Sequence, residues 1–211
     1  GYGVLSCVGN SVPEFWDGLL NGVSGAAPIT RFDCSKFKTQ FACEVKNFDV
    51  NAFFDRKEAR KYDRYAQYAL VSADEAVKDA GFDLEKVDLD RIGVVWGSGI
   101  GGLETLLQEV SEYVKGDCNP RFNPFFIPKM ISDIAAGHIS IRYGFRGPNF
   151  TTTSACASST NPWVDAYNLI RLGKADAFVT GGSEAAVGDL GIGGFNAMHA
   201  ISTRNDDPKT A

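Results

Sequence analysis

Strands alternating with helices predict an α/β layered fold with a mostly parallel sheet. Three observations in the 211-residue chain carry this: a short apolar run of the buried-strand type at 91–96, a β-branched run at 149–155 and a third strand-like run at 175–180, with helical periodicity between them. The chain is 44% hydrophobic, which supplies a core and excludes a disordered tail. At this length one large domain or two small ones are expected. Glycine is in excess: 23 residues, about 11% against an ordinary ~7%, and they cluster, which points to tight turns and close backbone approaches.

In chain order, Ser11 and Glu14 form a capping box opening a short helix that should bury Phe15, Trp16, Leu19 and Leu20 before Gly22 closes it. Residues 28–50 read as irregular, with a strand-like piece at 41–45. A long helix is expected from about 55 to 80, because Ala66, Ala69, Leu70, Ala73, Val77 and Ala80 recur at helical spacing and Gly81 stops it. The strand 91–96 runs into a glycine turn and a helix carrying Leu103, Leu106, Leu107, Val110 and Val114, a βα unit. Pro120, Pro124 and Pro128, with Phe122, Phe125 and Phe126 among them, predict a packed loop. A helix near 132–143 follows, then the strand 149–155, a helix from Cys156 to about Leu172 stopped by Gly173, and the strand 175–180. Pro162 fits only a first turn, so that helix either starts near Ser158 or kinks.

Lys and Arg number 21 against 26 Asp and Glu, a net charge of -5, which argues against coating nucleic acid or an anionic membrane. No apolar run approaches the ~20 residues of a membrane helix. No basic-then-apolar leader is seen, so a cytoplasmic location is expected. The chain opens at Gly1 without Met and stops in the polar stretch 205–211, which reads as incomplete at both ends. Five cysteines without a C-x-x-C pair, and only His138 and His199 besides, predict neither a disulfide framework nor a metal site.

Gly97, Gly99 and Gly102 spell the dinucleotide-binding fingerprint after a strand and at a helix start. That chemistry also needs an acidic residue about 20 positions on for the ribose. Pro120, Arg121, Phe122 and Asn123 stand there instead. The glycines are therefore expected to let backbone segments pass closely, with Ile100 projecting from the turn. No cofactor is expected.

Cys156 follows a β-branched strand directly and precedes the small residues Ala157, Ser158 and Ser159. A sulfur at a strand-to-helix turn meets backbone N–H groups that favour the thiolate and can hold an oxyanion. The arrangement resembles a nucleophile elbow built with sulfur. A small buried structural cysteine is the alternative reading.

Residues 154–159, the upstream Arg146-Gly147-Pro148, the downstream 181–184 and 202–206, the glycine turn 97–102 and the segment 124–128 together resemble the β-ketoacyl-acyl-carrier-protein synthases of type II. The resemblance runs through the chain in order. It implies a thiolase-like αβαβα layered fold, of which residues 1–211 are the N-terminal half with the C-terminal half absent, assembled as a homodimer. It implies that Cys156 is catalytic, taking an acyl chain from acyl carrier protein and condensing it with malonyl-carrier protein, without metal or cofactor. Ile100, Phe126 and Phe195 fall in the acyl pocket, Phe195 on a loop beside the cysteine. Two histidines, a lysine and the second oxyanion N–H of the family lie outside these residues, so the segment alone is expected to be inactive. Lys57, Arg60, Lys61 and Arg64 fall at i, i+3, i+4 and i+7, one helix face. Read without the resemblance, that face is solvated and pairs with Glu58 and Asp63. Read with it, Lys57, Arg60, Lys61 and Arg121 dock the acidic carrier. A polyketide ketosynthase and a non-catalytic partner subunit are the competing readings.

Overall fold

The computed structural model describes residues 1–211. In chain order the elements are α1 (Val12–Leu20), β1 (Ala27–Pro28), β2 (Phe41–Ala42), α2 (Arg56–Ala59), α3 (Arg64–Ala80), β3 (Ile92–Gly97), α4 (Leu103–Lys115), α5 (Phe126–Met130), α6 (Ile134–Tyr143), β4 (Asn149–Thr152), α7 (Asn161–Arg171), β5 (Ala177–Gly182) and α8 (Asp189–Ala197). Two compact units result, one from residues 1–3 and 50–185, the other from 4–49 and 186–211.

The larger unit holds the expected parallel sheet, in the order β4-β3-β5. All six residues of β3 are buried, as its unbroken apolar run requires of a central strand with both faces covered. Its last residue, Gly97, lies opposite Thr152 of β4 and Gly182 of β5, so the three strands end together. Helix α3 lays the predicted stripe of Ala66, Ala69, Leu70, Ala73 and Val77 into the core, whereas Ala80, at its frayed end, is exposed. Gly81, Gly144 and Gly173 end their helices in the left-handed conformation, at φ of 66°, 70° and 67°.

The single helix expected over 55–80 is two. Asp55 caps α2 through the N–H groups of Lys57 and Glu58, and the chain breaks before Asp63 starts α3. The reason lies outside the local sequence: buried Asp63 accepts from the Tyr65 N–H and also from the N–H and hydroxyl of Thr105 on α4. The proline-spaced segment likewise contains a short helix, α5, with Pro128 in its first turn, where a missing N–H is harmless.

The smaller unit holds α1, the antiparallel pair β1-β2 and α8. One half of the capping box forms, with Ser11 accepting from the Glu14 N–H, while the Glu14 side chain reaches past the cap to the N–H of Asn10. The burial expected beneath α1 does not: Trp16, Leu19 and Leu20 are exposed. The strand-like piece at 41–45 pairs only at Phe41 and Ala42, against β1. Polar side chains join the unit's two segments: Asn196 donates to Thr39 Oγ1 at 2.8 Å, and Thr39 Oγ1 donates to the Ser202 carbonyl at 2.6 Å.

Candidate active site

Ligand sites in open parallel sheets lie off the carboxyl ends of the strands, and three segments converge there: 98–102 after β3, 153–160 after β4 and 183–185 after β5. Cys156 sits on the second. It occupies a 3-10 turn, Ala155–Ala157, entered through Ala155 at φ 50°. Left-handed backbone at a non-glycine residue is strained and persists only where neighbours hold it. Ser158 does the holding. It is buried, its Oγ accepts from the Ser154 N–H at 2.9 Å, and it donates to the Ala155 carbonyl at 2.7 Å. Thr152 Oγ1 donates to the Ser158 carbonyl at 3.2 Å.

The turn consumes the N–H groups of Ala157 and Ser158 on the carbonyls of Ser154 and Ala155, while no carbonyl of the chain takes the Cys156 N–H. That N–H is thus the donor left for an oxyanion beside the sulfur. Cys156 is exposed and free of any disulfide. Helix α7 begins at Asn161, later than either expectation for Pro162, because the proline needs the first turn. Cys156 therefore lies a full turn before α7, so its own N–H lies closer to the sulfur than the α7 macrodipole, whose influence fades within one turn.

The glycine turn packs directly on this elbow. A Cβ on Gly97 would stand 1.8 Å from the Ser158 carbonyl oxygen, and one on Gly99 3.4 Å from that of Ala155. Thr153 Oγ1 donates to the Ser98 carbonyl at 3.1 Å. Ile100 is thereby carried next to the cysteine loop, 44% exposed. Gly102 donates to the Met130 carbonyl at 2.9 Å, which joins the turn to the end of α5. Phe126 opens α5, half-buried and stacked on Phe122 at 5.6 Å.

The turn has N–H groups like a phosphate cradle, but they are already taken. Glu184, just past β5, accepts from the N–H of Gly99 at 2.8 Å and of Ile100 at 3.1 Å. Its side chain also accepts from Ser98 Oγ at 3.4 Å. Desolvation pushes the Glu184 carboxyl above its ordinary value, against the pull of these donors. A carboxylate in the cradle, 85 residues away in sequence, is the physical reason the fingerprint misleads. Sequence reasoning singled out neither Glu184 nor Ser158 individually; a polar pair directly after a glycine-ended strand was the available signal.

Phe195 lies within α8 of the smaller unit, half-buried, in a helix where a loop was expected. The six glycines of 181–194 do not prevent that helix, because a Cβ on Gly194 would meet nothing and Gly191 packs on the Ala186 carbonyl. The basic face is also revised. With the helix broken, Lys57 and Arg60 belong to α2 and its cap, Lys61 to the linker, and Arg64 to α3, where it pairs with Glu104 at 3.3 Å. Glu58 pairs instead with Arg142 at 3.4 Å, so Lys57, Arg60 and Lys61 stay exposed. Arg121 is exposed on the loop before α5. No three His, Cys, Asp or Glu side chains converge as a metal site, and no helix is long and apolar enough to cross a membrane.

Residues 1–211 match the family model described as beta-ketoacyl synthase, N-terminal domain. The chain belongs to that family. A 3-oxoacyl-[acyl-carrier-protein] synthase 2 of Staphylococcus aureus is 47% identical over 212 residues, covering all of this chain and 52% of that protein. The enzyme of the same name from Synechocystis sp. is 42% identical over 99% of this chain and 50% of its own length. The chain thus spans about half the length of these relatives. Among solved structures, the ishigamide ketosynthase/chain length factor superposes with a TM-score of 0.87 at 27% identity, over 96% of this chain and 50% of that one. The fold of this β-ketoacyl synthase domain is accordingly the thiolase-like α/β fold that the resemblance implied.

Proposed function

We propose that the protein carrying this domain is a condensing acyltransferase of fatty acid biosynthesis. The observation that carries the reading is a sulfur on a strained turn at the ends of three parallel strands, with its own N–H open and an apolar residue, Ile100, on the adjoining turn. The Cys156 thiolate attacks the thioester carbonyl of an acyl-carrier protein, the oxyanion is held by the Cys156 N–H, and the carrier thiol leaves. Malonyl-carrier protein then loses carbon dioxide, and the resulting carbanion attacks the acyl-cysteine carbonyl; the acyl–sulfur bond breaks, the Cys156 thiolate is returned, and a 3-oxoacyl product two carbons longer stays on the carrier.

Greater identity to the fatty acid enzymes than to the ketosynthase/chain length factor supports this reading over a polyketide ketosynthase, and a cysteine at the elbow supports an enzyme over a non-catalytic subunit. Ile100 and Phe126 line the acyl pocket in this reading, and Lys57, Arg60, Lys61 and Arg121 receive the carrier. The names of the relatives support acyl carrier protein as the partner. Assembly as a homodimer is supported by β4, an open sheet edge with Asn149 and Phe150 exposed, since an uncovered edge accepts a further strand. Cys156→Ser in the complete protein should abolish acyl loading from acyl-carrier protein, read by intact mass. An acylated variant that still elongates would overturn the assignment.

A further inference from the structure

Glu184 performs no step in the proposed reaction, yet it organises the turn that bears Ile100. One oxygen accepts from the N–H groups of Gly99 and Ile100, at 2.8 and 3.1 Å. The other accepts from Ser98 Oγ at 3.4 Å, and that hydroxyl oxygen accepts in turn from the Gly101 N–H at 3.0 Å. Ser98 is 1% exposed, so its hydroxyl has no solvent to turn to. Four consecutive residues, 98–101, thus depend on one side chain from the next strand. Gly101 adopts φ 77°, a conformation that closes the turn but does not by itself select it, since glycine is permissive on both sides of φ zero. Without Glu184 the N–H groups of Gly99 and Ile100, whose bonds lie at an exposed part of the turn, go to water or to other acceptors, and nothing then ties the turn's dihedrals to the end of β5. Ile100, as the turn's single large apolar side chain, would move with it.

We propose that Glu184 is a positioning residue that sets acyl-chain length selectivity by fixing the turn on which Ile100 stands. The proposal rests on the reading that Ile100 meets the acyl chain. Its chemistry requires an acceptor for the Gly99 and Ile100 N–H groups rather than a negative charge: a glutamine oxygen accepts from both, although its amide gives up the weaker bond that Ser98 Oγ donates at 3.4 Å, whereas alanine accepts from none of the three.

The test is acyl transfer to Cys156 in the complete protein from a series of acyl thioesters, hexanoyl to palmitoyl, with kcat/KM read for each length and iodoacetamide alkylation of Cys156 measured beside it. Glu184→Ala should flatten the length profile by about tenfold, the scale on which an apolar pocket discriminates chain increments, with alkylation within about twofold of the parent. Glu184→Gln should restore the profile. Ser98→Ala, a smaller lesion in the same cradle, should flatten it in part and is read whether or not Glu184→Ala folds. An unchanged profile in Glu184→Ala or, where that variant does not fold, in Ser98→Ala overturns the proposal. So does a uniform loss at every length accompanied by slower alkylation, which marks a merely structural role. Ile100→Phe separates the two levels: if it leaves the profile unchanged, the pocket reading fails and the proposal falls with it, whereas a shifted profile there beside an unshifted Glu184→Ala rejects the proposal alone.

Discussion

A Cβ added to Gly97 would stand 1.8 Å from the Ser158 carbonyl oxygen, a backbone atom on the cysteine elbow. Neither partner can yield, because Gly97 ends the buried central strand and the Ser158 carbonyl is fixed by Thr152 Oγ1. Gly97→Ala should therefore displace the elbow and lower stability by about 3 kcal/mol, the upper range for overpacking. Gly99 provides the contrast. Its Cβ would come 3.0 Å from Glu184 Oε2, a side-chain atom that has to give by only a few tenths of an ångström, a shift that its bonds to the Gly99 and Ile100 N–H groups can follow. Gly99→Ala should cost under about 1 kcal/mol, within the usual range for a tolerated swap. Urea midpoints of the two variants check the pair, and equal losses would refute the argument. The sequence showed that these glycines permit close approach, since their clustering is local. It could not show which glycine meets backbone and which meets a side chain, because Ser158 and Glu184 arrive from other loops.

At the scale of elements, helix stops and stripes were legible wherever their causes were local. Gly81, Gly144 and Gly173 end helices, and the alanine-rich stripe of α3 is buried, because both features depend on residues within a few positions. The break between α2 and α3 was not legible, since it turns on the bond from Asp63 to Thr105, 42 residues away. His138 on α6 shows the same dependence on distant neighbours. Its ring meets Tyr62 edge-on at 4.6 Å, and its Nε2 is buried without a hydrogen-bond partner. Burial lowers its pKa, outweighing the carboxylate of Glu58, which raises it, while Lys61 lowers it further. The unfolded chain thus binds a proton that the folded chain resists. Stability is full above about pH 6.5, the ordinary histidine value, and falls as pH drops below it. His138→Phe keeps a ring against Tyr62 and removes the orphaned nitrogen. It should raise stability by about 1 kcal/mol and make thermal stability less steep between about pH 7 and about pH 5. A slope equal to that of the parent would show that His138 does not supply it.

For the molecule as a whole, charge is the property that sums over many residues and still acts through a few. The net charge is -5, which repels an acidic partner at long range. Several basic side chains of the larger unit are neutralised: Arg64 by Glu104, Arg142 by Glu58 and Asp74, Arg146 by Asp90, Arg91 by Asp176 and Lys86 by Asp83. Lys57, Arg60 and Lys61 are exposed on and just after α2, and Glu58, the acid between them, is turned inward to Arg142 and Tyr62. The inward turn of Glu58 is what converts a mixed charge run into a positive patch, and the sequence alone left both readings open. If this patch receives the acidic carrier, association should be screened by salt over a Debye length of ~8 Å at physiological ionic strength. Lys57→Glu with Lys61→Glu should weaken binding of acyl carrier protein about tenfold or more, since like charges across an interface cost several kcal/mol at most and about 1.4 kcal/mol is already tenfold. The salt dependence of the dissociation constant should flatten in the same variant. Lys86→Glu with Lys174→Glu, two exposed lysines away from α2 that make the same change in charge, serves as the control for net charge alone. Equal weakening by the control would assign the effect to overall charge and remove the patch from the docking surface.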